Sequence, residues 1–122
     1  MHTIKRAPLF SALLALLMFP LISWGHVNLD KSVPTKGEVV SPAPENVKLW
    51  FSGGVETEWS KITVKNADGK RVDTGDISHL EGNPKALKVK LKALSAGRYK
   101  IKWNVVAHDG HRIKGSSSFD VK

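Results

Sequence analysis

Histidine is the residue type through which this chain can do chemistry, and three of its five histidines stand at informative places. His26 follows a short apolar run that ends Ser23-Trp24-Gly25, and His108 and His111 flank Asp109 and Gly110 in "VVAHDGHRIKG". Asp109 and His111 are two residues apart, so an extended backbone projects both to one side and sets a carboxylate oxygen beside an imidazole nitrogen. His108 would face away unless the turn at Gly110 folds it back. As the first residue of a processed chain, His26 would be a chelator by itself, closing its α-amine and ring Nδ1 around one ion. An α-amine has a pKa of about 7.7–8, so a divalent cation can displace its proton near neutral pH. The same histidine inside a longer chain has an amide there and loses half the site. Amine nitrogen, two imidazoles and a carboxylate together suit a tetragonal Cu(II) ion, which heads the Irving–Williams order; Zn(II) would bind the same atoms more weakly. His79, in the polar stretch "DISHLEGN", is expected to be exposed and without a role.

Whether His26 is terminal depends on the first 25 residues. Lys5 and Arg6 precede the apolar "PLFSALLALLMFPLI", and Ser23 and Gly25 are the small residues wanted before a signal-peptidase cut. Pro20 interrupts the run, which falls short of the roughly 20 apolar residues of a spanning helix. Residues 1–25 are therefore expected to be a secretory signal peptide, with residues 26–122 as one small exported domain. Cysteine is absent, so no disulfide and no thiolate site is available. Both methionines, Met1 and Met18, fall in the segment to be removed.

Setting Lys5 and Arg6 aside leaves 17 basic residues against 11 acidic ones, a surplus of six. The lysines alternate singly with apolar residues, which reads as solvated sheet faces; with export, nucleic acid is not an expected partner. Catalytic patterns are missing as well. The serines of "GSSSF" lack a nucleophile elbow, no glycine-rich phosphate loop occurs, and the carboxylates show no acid/base pairing apart from the surroundings of Asp109.

The elements that would position these residues are strands. "VKLWFS", "LKVKLK" and "RYKIKWNV" alternate apolar and polar residues with period two, the pattern of half-buried strands. "WSKITVKNADGKRV" reads as a hairpin turning at Asp68-Gly69, and "SSSFDVK" as a last strand with Phe119 and Val121 inward. Pro34, Pro42 and Pro44 confine the first segment to an edge or irregular strand. No segment sustains a helical period. The expectation is an all-β fold, a two-sheet antiparallel sandwich.

The combination of "HVNLDKSVPTKGEVV", "VKLWFSGGVE", "LSAGRYKIKWNVV" and "DGHRIKGSSSFDV" resembles the CopC/PcoC-type periplasmic copper-binding proteins over nearly all of residues 26–122. The resemblance implies a small Greek-key β-sandwich of immunoglobulin-like or cupredoxin-like form. It also implies a periplasmic, non-enzymatic, monomeric protein that sequesters or delivers Cu(II) in copper resistance or homeostasis. Its implied ligands are His26 (amine and ring), Asp109 and His111, and its implied partner is an inner-membrane copper transporter of the CopD kind. Two departures stand out. A methionine-based Cu(I) site, present in some members, has no residues to form it here, and Gly53 occupies the place of a glutamate that some members carry after "FS". Glu56 is not expected to replace that glutamate, whereas His108, unusual before the D-x-H, offers a spare ligand. The alternative is a histidine-brace copper monooxygenase acting on polysaccharide, although 97 residues leave little room for a substrate face. A metal-free adhesion module of immunoglobulin type is a third reading.

Overall fold

The computed structural model describes Thr3 and residues 26–122. The expected signal peptide therefore lies, Thr3 apart, outside the described residues. Eight strands follow in order: β1 (Leu29–Val33), β2 (Val39–Val40), β3 (Asn46–Phe51), β4 (Lys61–Lys65), β5 (Asp73–His79), β6 (Ala86–Leu91), β7 (Gly97–Val106) and β8 (Arg112–Val121). Among the described residues the one helical piece is a single 3-10 turn, Leu80–Gly82. The strands form two four-stranded sheets, ordered β1-β3-β6-β5 and β2-β8-β7-β4.

Alternation explains how the sheets face each other. Along β7, Tyr99, Ile101, Trp103 and Val105 are buried while Lys100 and Lys102 are exposed. Val47, Leu49 and Phe51 of β3 and Leu87, Val89 and Leu91 of β6 meet them from the other sheet. Tyr99 and Phe119 stack at 5.4 Å, and the Tyr99 hydroxyl donates to the Ser95 carbonyl. Each fully buried aliphatic side chain contributes about 1.5–3 kcal/mol, and with no cysteine this layer is what holds the domain together. All eight strands and the whole core lie within residues 29–121.

Proline shapes the edges as the sequence indicated. β1 and β2, the strands around Pro34 and Pro42, are edge strands of their respective sheets. Two departures have local causes. β2 pairs with β8 in parallel, through Val39↔Asp120 and Val40↔Val121, whereas every other pair is antiparallel. The Asp68-Gly69 hairpin forms, closed by Val72 N–H to Val64 O, but its second arm then leaves the sheet. Buried Asp73 accepts from the Val64 amide and the Arg71 guanidinium, and from there β5 joins β6 in the opposite layer.

Candidate metal centre

β7 and β8 are joined by the three-residue loop His108-Asp109-Gly110. Val106 pairs with Arg112, Ala107 N–H donates to His111 O, and Gly110 N–H returns to Ala107 O. Gly110 has φ +88°, a left-handed conformation that glycine adopts without a Cβ clash; this is the common three-residue hairpin loop. The loop fixes the two residues singled out above. Asp109 Oδ1 accepts from the His111 main-chain N–H at 2.9 Å, and Asp109 Oδ2 accepts from His111 Nδ1–H at 3.0 Å. These two bonds, the side-chain one first, hold the Asp109 carboxyl below its ordinary pKa. His111 Nε2 has no hydrogen bond to another described residue.

The start of the domain is held at the same pole by a separate set of contacts. β1 pairs with β3, Leu29 opposite Phe51. Ahead of it, Asn28 N–H donates to Ser52 Oγ and Ser52 N–H to Asn28 O. Half-buried Val27 packs on the core and against Gly53, where an added Cβ would come within 2.8 Å of Val27 Cγ2. A glutamate at position 53 would therefore press on Val27. The result is that the rings of His26 and His111 lie edge to face, 5.8 Å between centroids and 81° between planes. Two imidazoles on one ion, each bonded at about 2 Å, have centres no more than roughly 6 Å apart, so the observed spacing fits a shared ion.

His108 and Glu56 point elsewhere. The loop of residues 52–60 runs beside the hairpin, through His108 N–H to Gly54 O and Glu56 N–H to Val106 O. Ser60 clamps its far end, accepting from Val106 N–H and donating to Glu56 O. The His108 ring lies over Gly54, where any Cβ would run into it, and its Nε2 is 3.6 Å from Glu56 Oε1. The structure thus sets the His26 ring beside that of His111 and His111 beside Asp109, and pairs His108 with Glu56. His79 ends a strand and does not sit in an exposed loop: half-buried, it hydrogen-bonds through Nε2 to Val55 O at 2.9 Å. Sequence reasoning missed it, along with the Asn28–Ser52 clasp and the Val27–Gly53 contact. The small residues of "FSGG" were the available signal, since only glycine admits such close approach.

Among the described residues, no three His, Cys, Asp or Glu side chains form a ready-made cage. Two imidazoles and one carboxylate sharing its oxygens with His111 leave a donor wanting. The nitrogen of residue 26 would supply it only after cleavage before His26.

Comparison with known proteins agrees with this fold. The model of the CopC domain family matches residues 29–122. Protein YobA of Escherichia coli K12 is 34% identical over 113 residues, covering 89% of this chain and 91% of YobA. The crystal structure of CopC from Methylosinus trichosporium OB3b superposes with a TM-score of 0.74 at 32% identity, over 80% of this chain and 94% of that one. PcoC, a methionine-rich copper resistance protein from Escherichia coli, superposes at 0.69 and 28% identity, over 80% and 99% of the two chains.

Proposed function

The chain belongs to the CopC family, and from that premise we propose that it is a periplasmic Cu(II)-binding protein that sequesters or delivers copper without catalytic turnover. The observation that carries this reading is the 5.8 Å approach of the His26 and His111 rings, which joins the start of the domain to the β7–β8 loop. His26 contributes its α-amine and Nδ1. His111 contributes a ring nitrogen. Asp109 contributes a carboxylate oxygen, and because the two ring nitrogens of an imidazole point in widely diverging directions, it gives up its bond to His111 Nδ1 when the ion binds. Before the ion arrives, the same bond fixes the orientation of the His111 ring. His108, turned toward Glu56, stays outside the set.

Nitrogen and oxygen donors without sulfur favour Cu(II) over Cu(I), which prefers thioether and thiolate. Residues 26–122 contain neither methionine nor cysteine, so a change of copper oxidation state has no second site to move to. Delivery to an inner-membrane copper transporter, or simple sequestration, follows from Cu(II) binding alone.

The test is a Cu(II) titration of protein that starts at His26 and of protein carrying one extra residue before it. Loss of affinity in the extended form is expected. Equal affinity in both would remove the His26 amine from the site and with it the requirement for cleavage there.

A further inference from the structure

Along the sequence the lysines read as scattered, but folding collects many of them on one surface. β7 lies between β4 and β8, and the outward positions of these three strands form rows. β4 presents Lys61, Thr63 and Lys65; β7 presents Arg98, Lys100, Lys102 and Asn104; β8 presents Arg112, Lys114, Ser116, Ser118 and Asp120. Seven basic side chains thus share a face with one acid. That acid, Asp120, is engaged by Arg98 at 2.9 Å. Lys61, Lys65, Lys100, Lys102 and Lys114 have no carboxylate partner among the described residues. Lys65 stands directly opposite Lys100, and neighbouring strands are only about 4.8 Å apart. Like charges directly opposite destabilise a sheet, so the fold maintains a repulsion that an external anion would relieve.

The shape of the face narrows the kind of anion. Between the rows run shallow depressions floored by Thr63, Asn104, Ser116 and Ser118. The aromatic residues of these strands, Tyr99, Trp103 and Phe119, are buried toward the core and offer no stacking platform to a nucleic-acid base. What remains is a broad area of flexible point charges with small polar residues between them, matched to many phosphates spread in a plane.

We propose that the outward face of β4, β7 and β8 docks flat on an anionic phospholipid bilayer. Lysines near such a surface are drawn to its negative potential, each adding to affinity independently and in a salt-dependent way. The face runs up to the β7–β8 loop: Arg112, next to His111, donates to Asn104 Oδ1 at 3.1 Å. A domain lying on this face carries the His26–His111 pole at the rim of the contact, open sideways to a neighbouring membrane protein.

The experiment uses protein starting at His26, so that the apolar residues 1–25 take no part. Its partition onto vesicles of mixed phosphatidylglycerol and phosphatidylcholine is measured against vesicles of phosphatidylcholine alone. Binding to the anionic vesicles only, weakening as salt rises, is expected. The triple variant K65Q/K100Q/K102Q lowers affinity roughly a hundredfold, at about fivefold per charge. It folds at least as well as the parent, because it removes the Lys65–Lys100 repulsion, and circular dichroism checks this. The triple variant K48Q/K88Q/K90Q, on the opposite sheet and beyond the Debye length of about 8–10 Å, stays within about threefold of the parent. Equal losses in the two triples, undiminished binding by the first, or equal binding to neutral vesicles each overturn the proposal. So does tighter binding to soluble polyphosphate than to vesicles of equal phosphate content, which assigns the face to a free polyanion.

Discussion

Gly53→Ala tests whether the start of the domain is wedged into place or merely rests near the β7–β8 loop. The new methyl group would lie 2.8 Å from Val27 Cγ2, well inside van der Waals contact, so one partner has to move. Gly53 follows β3 and lies between Phe51 and Val55, whose amides are held by Lys85 O and Pro84 O, whereas Val27 precedes β1 in irregular chain and is half-buried. Val27 therefore yields. Full burial of a valine contributes about 1.5–3 kcal/mol, and half of that is about 1 kcal/mol, a factor of roughly five in the ratio of docked to free N-terminal segment. Apparent affinity falls by the fraction of molecules that remain competent, so Cu(II) binding weakens by at most about fivefold. Global stability changes by less than about 1 kcal/mol, because the core strands do not move. Cu(II) titration against a competing chelator, alongside urea unfolding of the metal-free protein, reads both numbers. An affinity loss beyond about tenfold, or a stability loss beyond about 2 kcal/mol with affinity intact, refutes the reasoning.

Further outcomes follow from other contacts. His108→Ala leaves Cu(II) affinity within about threefold of the parent in the same titration; a loss of tenfold or more would place that ring in the site. Ser117 Oγ is buried with no hydrogen-bond partner among the described residues, and an unsatisfied buried hydroxyl destabilises. Ser117→Ala therefore raises stability by up to about 1 kcal/mol in urea unfolding, and a fall of that size contradicts it. Asp73→Ala strips a buried acceptor from the Val64 amide and the Arg71 guanidinium. It lowers stability by about 2–3 kcal/mol, which for a domain this size shifts Tm by roughly 10 °C or more; a shift under 3 °C would show that water replaces the carboxylate. The Asp120 carboxyl is held below the usual range of an aspartate, chiefly by its hydrogen bond to Arg98. Its contribution is thus present above about pH 4, where an unfolded aspartate is ionised, and lost as pH falls through its lower folded value. Asp120→Asn flattens the acid limb of the metal-free protein's stability profile below about pH 4, and an unchanged limb argues against the pair.

Much of the architecture was legible because one physical pattern dominates it. A strand with one wet face must alternate, so β3, β6 and β7 announced themselves, and proline marked β1 and β2 as edges. Alternation carries no partner information, however. It could not show that β2 runs parallel to β8, or that the arm after Asp68-Gly69 departs for the other sheet on Asp73. Nor could it show which outward residues share a surface, which is why the lysines of β4, β7 and β8 looked dispersed. At the pole, residue types and the two-residue spacing identified Asp109 and His111 as a pair. The approach of His26 depends on packing at Val27 and Gly53 and on the Asn28–Ser52 clasp, none of which has a periodic signature. His79 looked like loop polarity because its one bond, to Val55 O, comes from a residue 24 positions away.

In a chain cleaved before His26, as proposed above, the clasp at Asn28 and the wedge at Val27 leave a tether of a single residue. Immobilising one residue's backbone takes roughly 1–2 kcal/mol of conformational freedom, whereas a loose tail of five or six would forfeit several times that before gaining any bond. Preorganisation of this kind lets a site of few donors hold an ion firmly. It also leaves no slack, since an exopeptidase acting on such a cleaved chain would, with one amino acid, take the ring nitrogen and the terminal nitrogen together.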